Sequence, residues 1–200
     1  MTMEHADSAE LKRRIRRLLA VIRSITTDMQ VRGNDVHESA RHLADRVTAL
    51  GRAAVASISS GMDLESLVLD ELLMHGIDRS VAVVEGPTVL LNAKSAEVMA
   101  LVIHELATNA VKFGALSQPQ SRLRVVWWFQ GSASTHLHLE WAEKDVRMAA
   151  MKNYSPGFGS QVVKRLIARE LHGDGKMDFL PDGLLCTVEV PSAEALHTHE

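Results

Sequence analysis

The chain has 200 residues, 46% of them apolar and 24% charged, with a formal net charge of −3. That balance is ordinary for a globular protein and speaks against a nucleic-acid binder, which carries a basic balance over a whole domain. Cys186 is the only cysteine, so no intrachain disulfide can form. No apolar run approaches the roughly 20 residues that cross a bilayer, and the opening "MTMEHADSAE" lacks a basic-then-apolar signal. The expectation is a cytoplasmic protein in a reducing compartment, with neither a membrane nor a nucleic-acid partner.

The spacing of Leu11, Ile15, Leu18, Ile22, Ile25 and Met29 predicts a long helix from Ser8 to about Gln30, with an apolar seam made to pack against another helix. Lys12, Arg13, Arg14, Arg16 and Arg17 fill the gaps of its first turns, a local basic patch on a mildly acidic chain. "RGND" at 32–35 supplies a turn, and Asp35 the N-cap of a second helix with the seam Val36, Ala40, Leu43, Val47, Leu50 and Ala54. Two such helices bury only part of their apolar surface alone. Two hairpins from two chains make a four-helix bundle, which predicts a homodimer through residues 1–60.

Beyond the small-residue break "SISSGMD" (57–63), the periodicities mix. "DLESLVLDELLMHG" is a short amphipathic helix ending at Gly76, and "SVAVVEGPTVLLN" two short strands about a Gly-Pro turn. Residues 95–116 form a long apolar helix opened by Ser95 and closed near Gly114. "RLRVVWWFQ" and "THLHLEWAE" alternate as strands, with Leu137, Leu139 and Trp141 on one face and Trp127 and Trp128 pointing opposite ways. "GFGSQVVKRLIARELHG" is a helix and "KMDFLPDGLLCTVEV" a hairpin. Over residues 61–191 this predicts one sheet covered on one face by helices, and residues 192–200 read as a loose tail.

In "HELATNAVKFGAL" (104–116), Glu105, Asn109 and Lys112 fall at i, i+4 and i+7, on one helix face. A carboxylate, an amide oxygen and an ammonium suit a Mg²⁺-bound polyphosphate, because hard cations take oxygen ligands and lysine offsets phosphate charge. The same spacing also describes a solvated polar stripe. "SPGFGSQVV" sets Gly157 and Gly159 at a helix start, where backbone N–H groups and the helix dipole favour an anion. His136 and His138 share one strand face without a cysteine or carboxylate at ligand spacing in the sequence, and are not read as a metal site.

"HELATNAVKFGALS", "LEWAE" and "GFGSQVV" together resemble the ATP-binding domain of the HWE group of bacterial sensor histidine kinases. The group is named for a histidine in the helix motif and a Trp-x-Glu on a later strand, which match His104, Trp141 and Glu143. The likeness runs back to "ELKRRIRRLLA", covering about residues 8–191. It implies an α+β protein: a dimerisation hairpin, then the α/β sandwich shared by gyrase, Hsp90 and histidine kinases. It implies ATP and Mg²⁺ as cofactors, with Asn109 ligating the metal, Glu105 and His104 near the chemistry, and Lys112 on phosphate. Glu143 would hydrogen-bond the adenine amine beside Trp141, with Gly157 and Gly159 as the phosphate-side turn.

Two departures shape the functional expectation. The family's phosphoacceptor histidine falls on Arg13 and the asparagine one turn later on Arg17. A guanidinium has no free lone pair to accept a phosphoryl group, so autophosphorylation in cis is expected to be lost. The Gly-Gly-Pro element that follows the acid in these kinases is replaced by "KDVRMAAMKN". Two readings follow. One is a kinase-like protein that binds ATP and a response-regulator receiver domain and acts, if at all, in trans with a conventional histidine kinase. The other is a non-catalytic dimeric pseudokinase that docks the receiver through Arg13, Arg14 and Arg17.

Overall fold

The computed structural model describes residues 36–56, 61–78, 81–132, 135–147 and 158–197. The chain divides into two compact units, residues 1–47 and 48–200. The first predicted helix, with its seam and with Arg13, Arg14 and Arg17, lies outside the described residues. So does Gly157. The second predicted helix is present as α1, Val36–Ala56.

Within the second unit, strand β1 (Met62–Asp63) leads into α2 (Leu64–Met74). Asp63 caps this helix, its Oδ2 accepting from the Ser66 amide and hydroxyl, both at 2.9 Å. Gly76 ends the turn beyond α2 at φ +74, where a side chain would be strained. The two strands about the Gly-Pro turn are β2 (Ala82–Glu85) and β3 (Leu90–Leu91), and they enter different sheets. β3 pairs antiparallel with β1, whereas β2 forms the parallel edge of the main sheet.

That sheet is completed by β4 (Arg122–Gln130), β5 (His136–Lys144), β6 (Asp174–Leu180) and β7 (Gly183–Pro191). Its order is β2-β4-β5-β7-β6, with every pair but the first antiparallel. The alternation read in the sequence decides the faces. Leu137, Leu139 and Trp141 are buried, and Trp127 is buried while Trp128 is exposed and stacked on His138. Val125, Trp141, Cys186 and Met177 stand in one register across four strands. Burial pushes the Cys186 thiol up to about 12, with the Asp178 and Glu143 charges adding to the shift, so it is an inert core residue.

The central helix is α3, Ala93–Lys112, which packs against α2 and against α4 (Phe158–Leu171). It is buried without interruption from Ser95 to Ala107, the pattern of a helix enclosed on all sides. Asn92, not Ser95, opens it: the Asn92 side chain accepts from the Ser95 amide at 2.9 Å. Ser95 is instead a buried third-position residue whose hydroxyl donates to the Glu194 carbonyl at 2.7 Å.

The expected loose tail is a correction as far as His197. Ser192–Ala195 form a short helix, α5, and Ala195 is buried. Leu196 bridges to Leu91, and the His197 amide donates to the Leu90 carbonyl at 2.8 Å. Backbone carbonyls of "SAEALH", those of Glu194 and Leu196, accept from the Asn92 and Ser95 side chains, which sequence composition cannot reveal. Among the described residues, no helix is long and apolar enough to cross a membrane.

Candidate functional site

The C-terminal half of α3 carries the polar face read from the sequence. Glu105 is buried, Asn109 is half-buried and Lys112 is exposed, in the order that brings the helix from the core to its rim. The Asn109 amide nitrogen is buried with no hydrogen-bond partner, and so is the Thr108 hydroxyl. A buried amide left unpaired costs about 1–3 kcal/mol, so these two atoms mark a place built for something other than the helix itself. The helix closes directly after them, with the Phe113 amide on the Asn109 carbonyl at 2.8 Å.

Gly114 and the following 3-10 turn, Ala115–Ser117, carry the chain from this helix end toward β4. Glu143 reaches them from the sheet. Its Oε2 accepts from the Ala115 amide at 2.7 Å and its Oε1 from the Trp141 indole N–H at 3.0 Å. The residue is 2% exposed and lies in register between Leu123 and Leu184. Burial raises its carboxyl pKa, and the hydrogen bonds from Ala115 and Trp141 only partly oppose that. Both oxygens are thus engaged within the chain. Trp141, fully buried, orients the acid and offers no ring face to a ligand.

The chain after Glu143 turns without glycine. Asp145 takes a left-handed conformation, φ +59, one of the few side chains that tolerates it. The Val146 amide donates to the Asp182 carbonyl at 2.9 Å, and the Arg147 amide to the Gln118 side chain at 3.0 Å. Gly159 is the second residue of α4.

His104 faces elsewhere. Its Nδ1 lies 2.6 Å from Glu71 Oε1 on α2, and the other Glu71 oxygen accepts from Arg52 Nη2 of α1 at 2.5 Å. His75 Nε2 stands 3.4 Å from Glu71 Oε1 without hydrogen-bond alignment. Burial would raise the Glu71 carboxyl, but the hydrogen bond with His104, the close approach of the His75 ring and the charges of His104 and Arg52 outweigh it, holding the pKa at about 2. Sequence reasoning missed Glu71 and Arg52. The signal was present: Leu64, Leu67, Val68, Glu71 and Leu72 form one i, i+3, i+4, i+7, i+8 stripe, and a carboxylate on an apolar stripe requires a partner.

Residues 10–88 match the family model described as HWE histidine kinase. The chain is 31% identical over 193 residues to a protein of Erythrobacter litoralis named blue-light-activated histidine kinase 1, covering 92% of this chain and 52% of that protein. It is 31% identical over 196 residues to a blue-light-activated histidine kinase of Rhizobium johnstonii, covering 95% and 54% respectively. The chain therefore spans about half the length of these relatives. Among solved structures, the histidine kinase domain of a blue-light-activated histidine kinase from Erythrobacter litoralis shares the fold, with a TM-score of 0.58 at 15% identity over 88% of this chain and 84% of that one. A longer structure of that kinase gives a TM-score of 0.61 at 16% identity, covering 90% of this chain and 60% of that one. Relatives matching nearly the whole of this chain and a kinase fold of the same layout agree with the matched N-terminal segment: the chain carries an HWE histidine kinase domain match over residues 10–88 and is similar along its length to histidine kinases.

Proposed function

We propose that the protein is a histidine-kinase-like component of two-component signalling that binds ATP with Mg²⁺ and engages a response-regulator receiver domain, with autophosphorylation in cis lost. The observation that carries the nucleotide reading is the pair of unpaired buried polar atoms at Thr108 and Asn109, one turn beyond Glu105. An amide N–H and a hydroxyl that lack partners in the core fit a ligand rich in acceptor oxygens, such as a polyphosphate, and leave the amide oxygen for a hard cation. Bound ATP with Mg²⁺ would supply the phosphoryl group. Asn109 would hold the ion through its amide oxygen, Lys112 would offset phosphate charge, and Glu105 would lie beside the terminal phosphate. Gly159 and Gly157 would leave the backbone amides at the start of α4 open to an anion. Arg13 stands where the family accepts the phosphoryl group, and its guanidinium cannot do so.

The second reading, a pseudokinase that docks a receiver without chemistry, draws on Glu143. The acid that the family resemblance assigns to adenine is closed over by Ala115 and Trp141, and Trp141 serves that acid instead of a base. Both readings share a homodimer through residues 1–60 and a basic docking surface at Arg13, Arg14 and Arg17 that would meet an acidic receiver pocket.

Calorimetry with Mg²⁺–ATP separates them. The kinase-like reading requires heat of binding from the wild type and its loss in Asn109→Asp, where a second carboxylate meets the triphosphate. No heat at millimolar nucleotide moves the assignment to the pseudokinase. Incubation with labelled ATP, alone and with a conventional kinase of the group, then reads cis against trans phosphorylation. Light scattering of Leu18→Asp, which sets a charge in the predicted seam, should show the dimer lost.

A further inference from the structure

We propose that His104 is a positioning residue: through Glu71 it ties the nucleotide helix α3 to α2 and, by way of Arg52, to α1, so that Asn109 is presented only while this hub is intact. The proposal rests on the nucleotide reading above, and its geometry does not. Glu71 is buried and stands at the meeting of three helices. Its Oε1 takes His104 of α3 at 2.6 Å and its Oε2 takes Arg52 of α1 at 2.5 Å. His104 is one residue before Glu105, roughly 100° around the helix. Its ring therefore meets Glu71 of α2, while Glu105 and Asn109, one turn apart, share a different face of the helix. A ring held by a buried carboxylate fixes the rotation of α3, and that rotation decides where a residue five positions later, roughly 7.5 Å along the axis, places its amide.

The same three side chains invite a metal reading, because ligand atoms of Glu71, His75 and His104 lie within 4.8 Å of one another. Two details favour the hub. The 2.6 Å separation of His104 Nδ1 from Glu71 Oε1 is a hydrogen-bond contact, shorter than the roughly 3.3 Å between ligands of a tetrahedral zinc with bonds near 2.0 Å. The second carboxylate oxygen already carries the Arg52 guanidinium. Removing either partner leaves Glu71 with an under-compensated buried charge, which the helices would relieve by shifting. A cavity of about 60 Å³ lined by Ala49, Arg52, Met62, Asp70 and Glu71 gives α1 and α2 room to do so.

The test uses the full chain and four variants: His104→Phe, His104→Gln, Arg52→Gln and Arg52→Lys. Hydrogen exchange of amides 108–113 is compared with that of amides 96–101, together with the dissociation constant for Mg²⁺–ATP. His104→Phe and Arg52→Gln should speed exchange at 108–113 at least tenfold beyond any change at 96–101, and weaken nucleotide binding about tenfold. His104→Gln, whose amide can still donate to Glu71, and Arg52→Lys should recover most of both. Equal acceleration at both ends of α3, or an unchanged dissociation constant in a variant whose exchange has changed, would overturn the proposal and leave a purely structural contact. If the wild type binds no nucleotide, the kinase-like reading fails while the exchange pattern still decides whether the hub sets α3. A stoichiometric rise in melting temperature on adding zinc, absent in His75→Ala, would overturn it in favour of a metal site.

Discussion

Gly114 shows how a single missing methyl group arranges the site. A Cβ built on it would overlap Glu143 Oε2 and crowd the Ala110 backbone, so the close approach of the carboxylate to the Ala115 amide requires glycine here. Gly114→Ala should therefore displace Glu143 and lower stability by about 1–3 kcal/mol, the range for overpacking a filled interior; chemical denaturation reads it directly. A loss under 0.5 kcal/mol would mean that the turn relaxes and Glu143 keeps its bonds. Glu143 and Glu71 were legible to different degrees. Glu143 was visible through its place in the Trp-x-Glu motif, but its direction was not, because whether a strand carboxylate meets solvent or a backbone amide depends on the turn packed over it. Glu71 was hidden in plain sight as a polar member of an apolar stripe.

At the scale of elements, α3 depends on Asn92 twice. The side-chain oxygen caps the helix at Ser95, while the amide nitrogen donates to the Glu194 carbonyl at 2.6 Å. Asn92→Ala should cost about 2 kcal/mol, a cap plus a buried tie. Asn92→Asp keeps the cap acceptor and favours the helix dipole, but turns an oxygen toward the Glu194 carbonyl. It should recover less than half of the loss in thermal unfolding. Full recovery would show that the link to the C-terminal segment contributes nothing. The helix itself was legible from its apolar periodicity and from the stop near Gly114. Its cap was placed three residues late, since Asn92 and Ser95 are both good cap residues and only the direction of the incoming chain chooses between them.

For the whole molecule, two of the buried acids, Glu71 and Glu143, predict opposite responses to pH. Glu71 is held at about 2, below its usual 4.5, so its contribution is full above pH 4.5 and lost as pH falls through 2. That contribution is on the order of 3 kcal/mol. Glu143 is raised, so its burial is a burden at neutral pH that is relieved as pH falls through its raised value toward 4.5. Stability measured by denaturant at stepped pH should thus hold or rise slightly on first acidification, then fall between pH 4.5 and 2. Glu71→Gln should abolish much of the lower fall. A monotonic decline from neutral pH would contradict the assignment for Glu143.

What the residue order settled was local. Apolar spacing set the helices, strict alternation set the inward faces of β4 and β5, and the motif residues carried the family likeness, because each of these is written within one element. What needed the folded chain was every relation across elements. His104 and Glu71 are separated by 33 positions, Ala115 and Glu143 by 28, and Ser95 and Glu194 by 99. No periodicity reports such a distance. The partner of a buried polar group is chosen by which elements the fold brings together, since burial makes an unpaired group costly and only tertiary packing supplies the donor.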